Sequence, residues 1–182
     1  MVQICKKGRA KCHDPAQASQ TICYLLEHKL LKMDMVKIEE MRSEHLTEVL
    51  RLVKELAEYE REPNAVEIEV SVLEKALQED KTIFGWVAIK KGHVVGMALC
   101  YLRFSTWKGY CTYLEDLVVQ ADHRNMGIGK ELLRAVIDHA KQMGYHYVRW
   151  QVLDWNQDAI AFYEGMGAKV EPGWLNVSYY MS

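Results

Sequence analysis

The sequence has no apolar run approaching the about 18 residues that a membrane-spanning helix needs. Behind the basic residues Lys6, Lys7, Arg9 and Lys11 stands only the short apolar stretch "ICYLL", too brief for a signal-peptide core. Neither export nor membrane insertion is therefore expected. A dominant charge of one sign is also lacking: 23 Lys/Arg against 25 Asp/Glu leave a net charge of -2, so there is no overall nucleic-acid signature. Cysteine is sparse and unpaired. Cys5, Cys12, Cys23, Cys100 and Cys111 are odd in number and form no C-x-x-C spacing, which excludes a dense disulfide framework and points to reduced thiols in the cytoplasm. A zinc site from Cys5, Cys12, His13 and Cys23 would fit no familiar ligand spacing, and the seven histidines contain no H-x-x-x-H, so no metal is expected. No internal repeat or low-complexity segment is visible.

What is present is the material of one ordinary globular domain. A chain of 182 residues with 49% apolar and 26% charged residues is long enough to bury a sizeable core. Its charge is unevenly divided. Residues 1–34 carry six Lys/Arg against three Asp/Glu, whereas residues 35–182 carry 17 against 22. The mildly acidic body favours cationic small molecules over phosphates. The first 34 residues place Ile22, Leu25, Leu26, Leu30 and Met33 near helical spacing and read as an N-terminal extension, a loosely attached amphipathic helix. The compact domain is expected over residues 35–182.

Within it, strand and helix patterns alternate. "MVKIEEM" (35–41) has the period-two character of a strand. A helix follows with Leu46, Val49, Leu50, Val53, Leu56 and Ala57 on one stripe and Ser43 as its cap. Pro63 breaks it, and Ser71 and Glu74 have the spacing of a capping box for a second helix that runs to about Asp80. "TIFGWVAIK" and "HVVGMALCYLRF" flank Lys91-Gly92, the turn of an antiparallel hairpin. "YCTYLEDLVVQ" (110–120) suits a buried, central strand. Leu132, Leu133, Val136, Ile137 and Ala140 form a helix ending by Gly144; "YVRWQVL" (147–153) is a strand, "QDAIAFYEGM" a short helix stopped by Gly167, and "WLNVSYYM" a last strand. This order predicts a three-layer α/β domain (α+β in its hairpins) around a mixed, partly antiparallel sheet flanked by helices.

The unusual stretch is "DHRNMGIGK", Asp122 to Lys130, between a strand and a helix. A helix start has four backbone N–H groups without intrahelical partners and the positive end of the helix dipole. If Gly127 and Gly129 keep side chains away, those groups can surround a phosphate or pyrophosphate, with Arg124 and Lys130 adding charge. The pattern is neither a Walker A loop, since Glu131 follows Lys130, nor the dinucleotide fingerprint, since position 132 is leucine. From the glycines alone, a tight turn without a ligand and an anion cradle stand level.

Two landmarks together carry a family resemblance. "RNMGIG" resembles the [RQ]-x-x-G-x-[GA] pyrophosphate loop of the GNAT superfamily of N-acetyltransferases, and "WNQDAIAFYEGMGA" (155–168) resembles the family's Asn-started helix with A-x-x-F-Y-x-x-x-G-[FA]. "LVKELAEYE" (52–60), "WKGYCTYLEDLVV" (107–119) and "DHRNMGIGKELL" further resemble the spermidine/spermine-type diamine N-acetyltransferases and their thialysine-acetylating relatives. The similarity runs from about Val36 to the C-terminus. It departs after Gly167, where "AKVEPGW" is short and Glu171 is the only nearby acidic candidate.

The resemblance implies a three-layer GNAT-like fold and acetyl-CoA as co-substrate. Its pyrophosphate would sit on Arg124, Asn125, Met126, Gly127, Ile128, Gly129 and Lys130, and its pantetheine arm along the backbone of Leu117, Val118 and Val119. Asn156, Gln157, Asp158 and Ala159 would hold it from the other side. Tyr163 matches the general acid, at the cofactor, and Glu115 the residue that takes the amine proton, through water. Tyr59, Glu60, Glu115, Trp150 and Gln151 match substrate-lining positions. A homodimer is implied as well, with "WLNVSYYM" as a pairing or exchange element.

These residue types suit the chemistry. An alkylamine with a pKa of about 10.4 is protonated at neutral pH, and a carboxylate can both attract it and help remove its proton. A thiolate of pKa about 8.5 can take a proton from a tyrosine of pKa about 10. The expectation is therefore an acetyl-CoA-dependent N-acetyltransferase acting on a primary amine of a diamine, polyamine or thialysine-like amino acid, with no nucleic-acid or membrane partner. A protein N-acetyltransferase is the alternative within the class, and a non-catalytic acyl-CoA-binding regulator the alternative outside it. Each residue also has a structural reading: Tyr163 with Phe162 as apolar helix face, Tyr59-Glu60 as a solvated helix end, Cys100 and Cys111 as core thiols. Glu115-Asp116 resists such a reading, because unpaired carboxylates in a buried strand are costly.

Overall fold

In a computed structural model of the chain, the described residues are 35–173, 175–179 and 181. The extension 1–34, with its expected helix and the group Cys5, Cys12, His13 and Cys23, lies outside them. The sheet has five strands in the order β1 (Lys37–Glu40), β2 (Ile83–Lys90), β3 (His93–Ser105), β4 (Gly109–Val119) and β5 (Val148–Arg149). The first four pair antiparallel and β5 joins β4 in parallel, so the sheet is mixed. Lys91 and Gly92, both at positive φ (52° and 83°), make the tight β2–β3 turn, which needs left-handed backbone to match the strand twist.

Helix α1 (Leu46–Tyr59) and the short α2 (Val70–Glu74), which runs on as a π turn over Lys75–Glu79, lie on one side of the sheet. There Leu46, Val49, Leu52 and Leu73 pack with Val87, Met97, Leu99 and Val118. Helices α3 (Ile128–Gln142) and α4 (Gln157–Gly165) bring Leu132, Leu133, Val136, Phe162 and Tyr163 to a second cluster with Ala88, Ala98, Cys100 and Leu114. Neighbours along β3 thus feed opposite cores, which is why "VVGMALC" is apolar throughout rather than alternating. The result is a three-layer α/β architecture, as the pattern predicts. Cys100 and Cys111 are fully buried core thiols, and burial raises the Cys100 thiol further above its ordinary range, with Asp116 adding to it.

Four local expectations are corrected. Ser43 does not cap α1: the chain enters through a 3-10 turn, Ser43–His45, and His45 Nδ1 accepts from the Arg42 N–H at 3.1 Å. Ser71 and Glu74 form no capping box, because α2 starts at Val70 with Glu69 at its cap and Ser71 already inside the first turn. The strand expected over 147–153 is reduced to Val148–Arg149, since β5 meets β4 only at Thr112↔Val148 and Tyr113↔Arg149 and finds no ladder beyond. The last strand "WLNVSYYM" does not form among the described residues of that segment, which reach no neighbouring strand.

Candidate active site

A β-bulge and a splayed strand pair build the site. Leu99 lies opposite Asp116 while Cys100 lies opposite Leu114, so Glu115 is an extra residue in β4. A bulge bends its strand and changes which face the following residues take. Leu114 faces the α3 core; after the bulge, Val118 faces the α1 core, and alternation puts Asp116 on that same side. Beyond Tyr113, β4 separates from β5. Leu117, Val118 and Val119 therefore keep β3 on one edge and no paired strand on the other. An unpaired strand edge offers N–H and C=O groups to an extended ligand.

The glycine stretch lies at the head of that opening. Arg124 is extended, Asn125 has φ 61° and Gly127, the cap of α3, has φ 81°. Such backbone is strained for most side chains and natural for glycine and asparagine. No side chain caps α3, and no atom lies within 4 Å of where a Gly127 Cβ would stand. The N–H groups at the start of this 15-residue helix thus lack side-chain partners in a place open to an anion. Met126 and Lys130 are exposed and Ile128 is buried under the loop. Gly129 differs from Gly127: an added Cβ would meet Phe162 at 3.6 Å and Val119 at 3.7 Å, ordinary contacts. The residues present fit a pyrophosphate.

Three sequence segments are tied together beside the loop. The Tyr59 hydroxyl donates to Asn156 Oδ1 at 3.2 Å, and the same oxygen accepts from the Ala159 N–H at 3.2 Å, so Asn156 caps α4. The Arg124 guanidinium lies 5.3 Å above the Tyr59 ring while its Nε donates to the Val119 carbonyl at 3.1 Å. Gln157 and Asp158 stand exposed on the first turn of α4, and Gln157 Nε2 donates to the Asp154 carbonyl at 2.7 Å. Trp155, not foreseen, packs 5.8 Å from Tyr59 and under Arg61.

The titratable centre is Tyr163, Asp116 and Glu60. Tyr163 stacks in tilted contact with Trp150 at 5.1 Å and Phe162 at 5.2 Å. Its hydroxyl is pushed up to about 12, by burial first and then by Glu60 and Asp116. Asp116 is pushed up to about 6 by burial, then by Glu115 and Glu60, and burial raises Glu60 as well. Glu115, by contrast, is exposed, and its charge acts on Tyr101 and Tyr113, stacked 4.9 Å apart, as well as on Asp116. The expectation of a costly buried carboxylate thus holds for Asp116 rather than for Glu115. Gln151 is held by Tyr113 and the C-terminal segment: its Oε1 accepts from the Tyr113 hydroxyl at 3.0 Å and its Nε2 donates to Asn176 at 2.7 Å. Glu171 is exposed and pairs with Arg149 at 3.3 Å. Among the described residues, no group of three or more His, Cys, Asp or Glu could hold a metal ion.

Comparison with known proteins identifies the family. Residues 45–168 match the acetyltransferase (GNAT) family. The thialysine N-epsilon-acetyltransferase of Bos taurus is 36% identical over 150 residues, covering 75% of this chain and 86% of that protein. Its counterpart in Caenorhabditis elegans is 32% identical over 132 residues, 72% of this chain and 82% of the relative. The spermidine/spermine N(1)-acetyltransferase-like protein 1 of Homo sapiens is 29% identical over 78% of this chain, though that covers only 22% of the human protein. Among solved structures, an aminoglycoside acetyltransferase from an uncultured soil metagenomic sample superposes with a TM-score of 0.69 at 22% identity, covering 81% of this chain and 97% of that one. That likeness concerns the fold. With a bulged, splayed β4, an open glycine-capped α3 and these relatives, the chain belongs to the GNAT family of acetyltransferases.

Proposed function

We propose that the protein transfers the acetyl group of acetyl-CoA to a primary amine of a small cationic substrate, a diamine, a polyamine or a thialysine-like amino acid. The observation that carries this reading is the pair of carboxylates, Asp116 and Glu60, near enough to Tyr163 to raise its hydroxyl, with the exposed Glu115 next to Asp116 at the bulge. Carboxylates with a tyrosine proton donor are what an ammonium substrate and a thiolate leaving group require. The relatives' names, which speak of thialysine and of spermidine and spermine, point the same way.

Acetyl-CoA supplies an activated thioester. The α3 start, from Arg124 to Lys130, holds its pyrophosphate, and Asn156, Gln157, Asp158 and Ala159 close on it from α4. The free edge of Leu117, Val118 and Val119 lines its arm, and a backbone N–H of Val118 or Val119 donates to the acetyl oxygen as charge builds there. Asp116 and Glu60 hold the ammonium. Glu115 takes its proton through water, and Tyr59, Trp150 and Gln151 line the approach. Tyr163 gives its proton to the departing sulfur. A bound ammonium also offsets the carboxylate charges that raise the Tyr163 hydroxyl, so the substrate makes Tyr163 a better acid.

A homodimer in the cytoplasm is part of the proposal. Leu175, Val177, Tyr179 and Met181 alternate along the C-terminal segment and are 89%, 92%, 87% and 88% exposed, a strand pattern without a paired strand among the described residues. A second copy would supply one.

The test is thiol release from acetyl-CoA against spermidine, putrescine, thialysine, lysine and peptide N-termini. Release with at least one of the first three is expected. No release above background with any of them ends the small-amine reading.

A further inference from the structure

A second concavity opens beside the glycine loop. It is a groove of about 580 Å³ between the middle of α1, the β2–β3 turn and the segment that follows β4, and Arg51, Lys90, Lys91, His93 and His123 line it. In a body whose residues 35–182 carry more acid than base, Arg51, Lys90 and Lys91 gathered on one groove run against the trend. Among the described residues, one carboxylate, Glu48, lies on the groove, and it is engaged. Its Oε2 accepts from the Val94 N–H at 2.6 Å and stands 3.9 Å from Arg51, which also pairs with Glu55. Glu48 and Arg51 therefore largely cancel, His93 Nδ1 stands 3.8 Å from the same carboxylate, and Lys90 and Lys91 set the sign of the groove.

Two observations connect the groove to a ligand. Lys90 Nζ lies 4.0 Å from the sulfur of Met126, inside the glycine loop, so the groove begins where the loop ends. His123, the fourth residue of the same connection, lines the groove and has its Nδ1 enclosed without a hydrogen-bond partner. A phosphate monoester carries close to two negative charges at neutral pH and needs cationic donors of this kind. In coenzyme A, such a group hangs from the ribose 3′ position, a few bonds from the pyrophosphate.

We propose that this groove seats the 3′-phosphate of the acyl donor, with Lys90 as its principal contact and His123 and His93 in support. The proposal rests on the acetyl-CoA reading above and deepens it: the protein selects coenzyme A over its form lacking the 3′-phosphate through the β2–β3 turn.

Calorimetric binding of coenzyme A and of 3′-dephospho-coenzyme A, at low salt, tests this without recourse to turnover. The intact protein should bind coenzyme A about ten- to a hundredfold more tightly, the range of a charge-assisted hydrogen bond. Lys90→Ala should bring the two affinities within about threefold by weakening coenzyme A alone, and Lys90→Arg should restore most of the difference. Equal affinities in the intact protein, or a preference that Lys90→Ala leaves intact, would overturn the proposal while leaving the acetyl-CoA reading in place. If neither compound binds, both fall together.

Discussion

Asp116 and Glu115 are neighbours in β4, yet only Asp116 shares its surroundings with Tyr163 and Glu60. Its rise from an ordinary 3.8 to about 6 corresponds to roughly 3 kcal/mol. The folded chain holds this proton more tightly than an unfolded one, so stability falls as pH rises from about 4 to about 6 and stays lower above. Asp116→Asn removes that loss. By thermal unfolding, the variant should match the parent below pH 4 and exceed it by several degrees at pH 7, while its KM for the amine rises tenfold or more. An equal offset at both pH values would place the carboxyl outside the buried site. For Tyr163, replacement by phenylalanine should lower turnover by about 10²- to 10⁴-fold while acetyl-CoA still binds, and unchanged turnover would remove it from the acid role. Tyr163 and Asn156 were legible because a motif frames each. Asp116 is not distinguished from Glu115 by sequence, since two adjacent acids look alike in an alternating strand. Only the bulge at Glu115 decides which turns inward, and no residue type announces it.

The elements divide into those that local pattern specifies and those that need a partner. Helices α1 and α3 follow their apolar stripes, and the β2–β3 hairpin follows Lys91-Gly92, whose left-handed backbone is a local matter. The caps expected at Ser43 and Ser71 do not form, because His45 and an earlier helix start replace them. Strand β5 is short for a tertiary reason: parting from β4 denies Trp150 to Leu153 a ladder, and the same parting opens the cofactor edge. The α3 start depends on Gly127. In Gly127→Trp, a left-handed backbone costs roughly 1–2 kcal/mol and the indole fills the open space before the helix. Coenzyme A binding measured by calorimetry should be lost with the fold retained. Undiminished affinity would show that the loop is only a turn.

At the scale of the whole molecule, the three-layer order could be read from alternating patterns, whereas the fate of the C-terminal segment could not. Its four alternating apolar side chains state a strand without stating what it pairs with. If a second copy covers them, the protein should sediment as a dimer, and the double change Leu175→Asp with Val177→Asp should shift it to monomer. A monomeric parent would contradict the pairing. The extension 1–34, basic where the body is acidic, has no assigned part in this chemistry. The acetyl group of acetyl-CoA is expected to end on the substrate amine. Mass spectrometry of spermidine, putrescine and thialysine after incubation with the protein and acetyl-CoA reads this directly. One added acetyl group on at least one amine, in step with the coenzyme A released, is the predicted result; coenzyme A released while all three amines stay unmodified would contradict it.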